Sequence, residues 1–431
     1  MIRITRRSLF ACAVLAAVLA APGVARADVI GDWNLIAQQQ TIPLRPTAQG
    51  ESRGMAMVEG AVYDAVNAID GGHAPYLVDP GAIGAQPWFS QDAAAATAAH
   101  DVLVAIAPAQ QATLDGLYAT TMAAITDAFK AQGAQVGAAA AQAMLAFRQN
   151  DGFLAPFDFS LVIAPGAGNW RPLAPGATDP DAWVGNEKPF LIESPDQFRS
   201  DGPNALTSGE YTKDFNEVKE LGALGSTKRT ADETAAAVFW QFPPIALWNG
   251  VARSLAGRFG LDTADQARLY AMINLAAADG AISCWNDKWY WHFWRPRAAI
   301  REAGTDGNPA TVADPAWEPL FDPSTQTTPP LVTPPFPDHP SGHGCVSGAT
   351  VNAFQDFFGT DKAPFDVVGG RSLNGVPIPP RHFDRFSNAL KEVIDARVWG
   401  GIHFRTADVQ GTVIGKKVAH WMRKHYFEPT R

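Results

Sequence analysis

The chain has 431 residues, with 43 acidic against 34 basic side chains and a formal charge of −9. So acidic a balance excludes the electrostatic footprint of a nucleic-acid or anionic-membrane binder. The length is enough to bury a large core, as one big domain or two, and three cysteines are too few for a disulfide scaffold.

The N-terminus reads as an export signal over residues 1–27. Met1 to Phe10 is a basic head with an Arg6-Arg7 pair, an apolar stretch runs from Leu9 to about Ala20, and Ala25-Arg26-Ala27 supplies small residues for cleavage. Arg6-Arg7 followed by Ser8-Leu9-Phe10 has the form of a twin-arginine signal. The apolar stretch is short of the roughly 20 residues a bilayer span needs, which argues against a stable membrane anchor. The expected location is periplasmic or secreted. Cleavage removes four arginines and no acid, which moves the charge from −9 to −13. Cys284 and Cys345 remain, and export permits a bridge between them without requiring one.

Helical signals dominate the rest. Met55, Val58, Val62, Val66 and Ile69 recur at three- and four-residue spacing, as do Leu114, Tyr118, Met122, Ile125 and Phe129. Ala-rich segments 92–107 and 134–147 favour close helix packing. Capping boxes are expected at Thr230-Ala-Asp-Glu233 and Thr263-Ala-Asp-Gln266. Strand pairing is expected only in short pieces near 365–379. The proline-dense stretch 151–205 predicts a long ordered crossing or a surface excursion. The fold expected is therefore all-α with two helix bundles: an N-terminal region over 28–225 that includes the crossing, and a C-terminal bundle over 226–431. A second proline-dense break, 304–340, ends in Thr333-Pro-Pro-Phe336-Pro-Asp-His-Pro340, stiff enough to wall a site.

Three segments of the C-terminal half concentrate groups that hold a tetrahedral oxyanion. In Lys288-Trp-Tyr-Trp-His-Phe-Trp-Arg295-Pro296, a continuous helix would put Lys288 and Arg295 on one face, roughly 10 Å apart. Taken alone, that segment is better explained by a Lys and an Arg snorkelling from the edge of an aromatic core. In Pro340-Ser341-Gly342-His343, Ser341 is a natural N-cap and Gly342 lets the backbone approach a ligand. The free N–H groups of the following first turn face any anion placed there. Alone, that segment is also an ordinary capped helix with a surface histidine. In Arg397-Val-Trp-Gly-Gly-Ile-His403, Gly400-Gly401 should break the helix and turn His403 toward whatever Arg397 addresses, or simply make a helix corner.

In this order and spacing, the three motifs resemble the signature of the vanadium-dependent haloperoxidase and type 2 phosphatidic acid phosphatase superfamily. Met55 to Ile69, and Ser194 to Arg199 with Tyr211 and Asn216 to Lys219, are similar to its bacterial haloperoxidase-like branch. The resemblance implies that vanadate, or phosphate on the same site, is held by Lys288, Arg295, Arg397, the Ser341 hydroxyl and the Gly342 N–H. It implies His403 as axial vanadium ligand and His343 as acid–base partner opposite. Lys288 would add polarisation, with hydrogen peroxide and halide as substrates, an organic acceptor and a homodimer left open, and no nucleic acid as partner. Trp285 and Phe336 match residues flanking the halide pocket, with the halide itself unassigned.

The superfamily's phosphatases use the same site with the third-motif histidine as nucleophile and a carboxylate four residues on. Here that position is Ala407, with Asp408 one later, so an exported acid phosphatase is the second expectation and the partner of the His403 ring is unassigned. A vanadate- or phosphate-binding protein without turnover is the third, and it would have no use for His343. His339 and His292 are expected to pack or face solvent. Asp279 is a candidate for orienting a site residue, because burying it unpaired is costly.

Overall fold

The computed structural model describes residues 28–41, 48–161, 164–172, 178–322, 327–328, 331–369 and 372–430. The expected signal at 1–27 lies outside them. The fold is all-α with a few short strands. Five helices precede the crossing: α1 (Val29–Thr41), α2 (Ala48–Asp70), α3 (Gln91–Ile106), α4 (Gln111–Ala124) and α5 (Lys130–Phe147). Eight follow it: α6 (Gly209–Leu221), α7 (Ala231–Phe239), α8 (Pro244–Phe259), α9 (Thr263–Trp291), α10 (Pro296–Arg301), α11 (Gly342–Phe358), α12 (Phe386–Trp399) and α13 (Arg405–His425). Among the described residues, no helix is long and apolar enough to cross a membrane.

The apolar stripe of α2 packs on α9, which is buried along most of its length and touches both halves of the molecule. One core cluster consequently runs from Val29 to Phe427. Ala-rich α3 and α5 pack closely, as their small faces predict. The α4 stripe stops earlier than its spacing implies: Ile125 turns extended and Phe129 lies before α5, because the segment between closes a turn there. The Thr230–Glu233 capping box forms. The one expected at Thr263 does not: Asp262 caps α9 by accepting from Asp265 N–H, which leaves Thr263 as the first helical residue. Lys362–Val367 pairs antiparallel with Arg381–Arg385, close to where strand character was expected.

The described parts of 151–205 form an ordered crossing laid against α9. Arg148 donates to Asp151 Oδ2 (2.8 Å), to Glu187 Oε1 (2.6 Å) and to the Lys188 carbonyl (2.6 Å). Arg53 closes the same cluster at 2.7 Å from Asp151 and 3.0 Å from Glu187. Asp279 on α9 accepts the backbone N–H groups of Phe190, Leu191 and Ile192 at 2.6–2.8 Å. Asp279 therefore pins the crossing, and its hydrogen bonds go to that backbone and to no site residue.

Candidate functional site

Lys288 and Arg295 do not share a helix. Helix α9 ends at Trp291, with His292 in the left-handed conformation as its cap, and Arg295 becomes the N-cap of α10 with Pro296 at its first position. Aromatic packing of Phe293 and Trp294 into a second small core, with Tyr211 and Phe404, favours this break over a continued helix. The two cations still converge, because both bond to the same stiff wall. Lys288 Nζ donates to the carbonyls of Pro337 (3.0 Å), Asp338 (3.3 Å) and Pro340. Arg295 donates to the Phe336 carbonyl (2.8 Å), to Ile402 O (2.8 Å) and, at 3.5 Å, to Pro337 O. The proline-dense segment thus presents a row of carbonyls that a flexible loop would not hold in register.

Ser341 caps α11 as expected, its hydroxyl accepting from Gly344 N–H. Glycine is required at 342: a Cβ there would stand 2.9 Å from the six-membered ring of Trp285. His343 follows, half-buried on the first turn. A disulfide joins Cys284 on α9 to Cys345 on α11, tying together the two helices that carry Lys288 and the Pro-Ser-Gly-His turn. Helix α12 stops at Trp399, and Gly401 adopts φ +75°, with a Cβ there running into Gly222 O and standing 2.8 Å from Pro319 Cβ. That turn reverses the chain, so His403 comes back beside Arg295, while Arg397 donates to Gln241 Oε1 (2.7 Å) and Trp240 O (3.3 Å).

Gly342, His343, Arg397 and His403 line a cavity of about 270 Å³, together with Trp285, Phe336 and a rim that includes Pro180, Pro243, Pro334 and Pro335. Lys288, Arg295 and Ser341 stand directly behind that lining, buried. The Trp285 and Phe336 rings meet at 5.1 Å, and Lys288 Nζ lies 5.1 Å from the Phe336 ring. All nine residues singled out from the sequence therefore gather around one cavity.

The partner of His403, left unassigned by the sequence, is Asp338. Its Oδ1 lies 2.9 Å from His403 Nδ1, and both side chains are buried. The other nitrogen, Nε2, has Arg295 Nη1 at 3.3 Å. A guanidinium can only donate, so Nε2 is the acceptor and the ring proton sits on Nδ1, toward Asp338. Burial, then the charges of Arg295, Lys288 and Arg397, push the His403 pKa well below its ordinary value, so the ring is neutral. A neutral ring with its Nε2 lone pair beside three cations suits an electropositive centre carrying negative oxygens.

Burial, then the neighbouring Arg295 charge, hold Lys288 well below the usual amine range, and burial lowers Arg295 to about 10. Neither has a carboxylate within ion-pair distance among the described residues, so their positive charge is compensated by carbonyls and, at longer range, by Asp338, Asp408 and Asp179. Among those residues no group of three or more His, Cys, Asp or Glu is arranged to hold a bare metal ion. Cations, a capped helix N-terminus and one histidine lone pair form a donor set for an oxyanion, and vanadate or phosphate fits it. Asp408 is buried beneath Ser341, and burial raises its carboxyl to about 8 against the pull of Ser341 and Arg397.

Sequence spacing missed Asp338 because a carboxylate was sought after His403, and this one arrives from 65 residues earlier. His339 is buried, as expected, on Ser200 Oγ at 3.0 Å.

Residues 268–430 match the family described as the VCPO second helical-bundle domain. The vanadium chloroperoxidase of Curvularia inaequalis is 28% identical over 273 residues, covering 51% of this chain and 44% of that protein. The match thus spans less than half the length of that relative. A bacterial vanadium-dependent iodoperoxidase superposes with a TM-score of 0.74 at 22% identity, over 94% of this chain and 98% of its own. A holo-type bacterial vanadium-dependent chloroperoxidase gives 0.68 at 16% identity, over 91% and 95%.

Proposed function

From the premise that this chain is a relative of the vanadium haloperoxidases, carrying their second helical-bundle domain at 268–430, we propose that it oxidises halide with hydrogen peroxide to a hypohalous acid equivalent. The observation that carries this reading is the Asp338–His403–Arg295 arrangement, which fixes a neutral imidazole with its lone pair toward the cations. When bound, vanadate supplies a Lewis acid that makes peroxide electrophilic. Lys288, Arg295 and Arg397 hold the oxyanion's charge, while the α11 N-terminus and Ser341 orient it. His403 gives one lone pair, with Asp338 keeping the proton on Nδ1. His343, facing the same cavity, takes a proton from peroxide and returns one to product. Trp285 and Phe336 wall the place where halide meets the oxidant. Export to the periplasm or beyond is supported by the basic, apolar head of the sequence and by the Cys284–Cys345 bridge, since disulfides persist in oxidising compartments.

The test supplies purified protein with peroxide, each halide and a phenolic acceptor, with and without orthovanadate. Vanadate-dependent halogenation of the acceptor is expected, and its absence with every halide overturns the reading. The Asp338 carboxylate behind His403 also favours a second reading, because it is what a nucleophilic histidine of a phosphatase needs. The vanadium-free protein is accordingly expected to cleave activated aryl phosphates slowly, with vanadate inhibiting. Fast hydrolysis of ordinary monoesters without halide oxidation would establish the phosphatase instead.

A further inference from the structure

Asp179 comes from the proline-rich crossing, more than a hundred residues from the first motif, and its side chain reaches the back of the cavity wall. Its Oδ2 accepts the Trp285 indole N–H at 2.9 Å, and its Oδ1 accepts the Asp181 backbone N–H at 2.9 Å. Both oxygens are thus used, on opposite partners. No cation lies within ion-pair distance of this buried carboxylate among the described residues; the Lys288 charge acts on it only at longer range, and its short contacts are the two N–H groups. Pro180 and Asp181 line the cavity while Asp179 stands behind them. The crossing is itself seated tightly: a Cβ on Gly185 would stand 2.7 Å from Asn286 N, leaving no room for the segment to shift along α9.

Away from the cavity the indole is held by several neighbours. Its six-membered ring abuts Gly342, its face meets Phe336 at 5.1 Å, and Lys288 Nζ lies 5.5 Å from it. An indole N–H is a donor only, and one left in the wall of a cavity that admits anions would itself be an anion-binding group. Asp179 takes that donor out of the cavity. Carrying a carboxylate into a buried wall for this purpose is costly, and burial pushes its pKa up to about 7.

We propose that Asp179 is a positioning residue for halide recognition: by accepting the Trp285 indole N–H from behind, it locks the ring as an apolar wall and denies incoming anions that donor. The halide consequence rests on the haloperoxidase reading above; the lock on the indole rests on the geometry alone. Asp179 acts through Trp285 and touches neither substrate nor oxyanion.

The experiment compares wild type, Asp179→Ala, Asp179→Asn, Trp285→Phe and the Asp179→Ala/Trp285→Phe pair, as full-length protein. The first readout is the indole ¹⁵N–¹H resonance of Trp285 in the vanadium-free protein, identified by its loss in Trp285→Phe. In Asp179→Ala this resonance is expected to shift and to exchange with solvent at least about tenfold faster, the effect of losing one charge-assisted hydrogen bond. The second is a split of kinetic constants with vanadate bound. The KM for halide should rise about tenfold or more in Asp179→Ala while kcat changes little, and Asp179→Asn, which keeps one acceptor oxygen, should fall between. In the Trp285→Phe background, Asp179→Ala should have no further effect on KM, because no N–H remains to position. An unchanged resonance in Asp179→Ala overturns the lock. A KM effect that persists undiminished in the double variant overturns action through Trp285. Should wild type oxidise no halide, the functional reading fails while the resonance still decides the lock. If Asp179→Ala does not fold, the resonance and KM of Asp179→Asn decide in its place.

Discussion

Two buried groups of cations in this molecule are built in opposite ways. Arg53 and Arg148 sit between Asp151 and Glu187, with N···O distances of 2.6–3.0 Å, so each positive charge meets a negative one. Lys288 and Arg295 are as deeply buried, yet their hydrogen bonds go to the carbonyls of 336–340 and 402. The first group is electrostatically closed and holds the crossing to the N-terminal helices. The second gives its donors carbonyl partners but leaves the charge only partly compensated, at the cost of pKa values pulled down. Closed pairs give structure, and carbonyl-held cations give a place for an anion.

The difference is sharpest at the centre of the second group. His403→Ala should abolish halide oxidation, as followed by halogenation of a phenolic acceptor, while the far-ultraviolet circular dichroism stays that of wild type. Vanadate affinity should fall without vanishing, because the three cations remain; full activity in this variant would remove His403 from the account.

Opposite outcomes are expected for one charge removed from each group. Arg148→Met leaves Asp151 and Glu187 buried with one fewer partner and should lower unfolding free energy by about 3–5 kcal/mol with oxyanion affinity unchanged. Lys288→Met should leave stability equal or higher and weaken vanadate binding about 10- to 100-fold. Chemical denaturation and vanadate titration of both variants check the contrast, which fails if Lys288→Met proves the less stable of the two.

Asp338→Ala removes the acceptor for His403 Nδ1–H. Vanadate affinity or turnover should drop roughly 10- to 100-fold, the usual result of losing the group that orients a ligating histidine. Equal affinity and turnover in wild type and variant would show that the ring is held by packing instead.

These contrasts also mark how far the sequence could be read. Short-range spacing was legible: the Ser341 cap and the break at Gly400-Gly401 depend on residues within a few positions of one another, while the gathering of the three motifs was implied by the family resemblance. Groups that reach the site across long separations were not. Asp338 and Asp179 carry no spacing signal, because tertiary packing alone brings them to His403 and Trp285. The continuous helix through Arg295 was wrong because burial of Phe293 and Trp294 outweighed helical periodicity, and Asp262 took the cap of α9 from Thr263 because its side chain accepts from Asp265 N–H. Likewise, Asp279 looked like a site residue only until the backbone of 190–192 was seen to satisfy it.

The smallest effect concerns pH. Asp408 is raised to about 8 in the folded chain, above its ordinary value of 3.8, so its contribution to stability is whole below pH 4 and lost as pH climbs through 8. Asp408→Asn should flatten this slope by about 1 kcal/mol or more between pH 5 and 9. Thermal unfolding across that range decides it, and parallel curves for wild type and variant would place the Asp408 proton elsewhere.

The most direct test of the carbonyl-held cations as an anion site is calorimetric titration of vanadium-free protein with orthovanadate, repeated in phosphate buffer. The account predicts one vanadate per chain, competition by phosphate, and stabilisation of about 2.7 kcal/mol at a hundredfold excess over Kd. Binding that ignores phosphate, or survives undiminished in Lys288→Met, would contradict it.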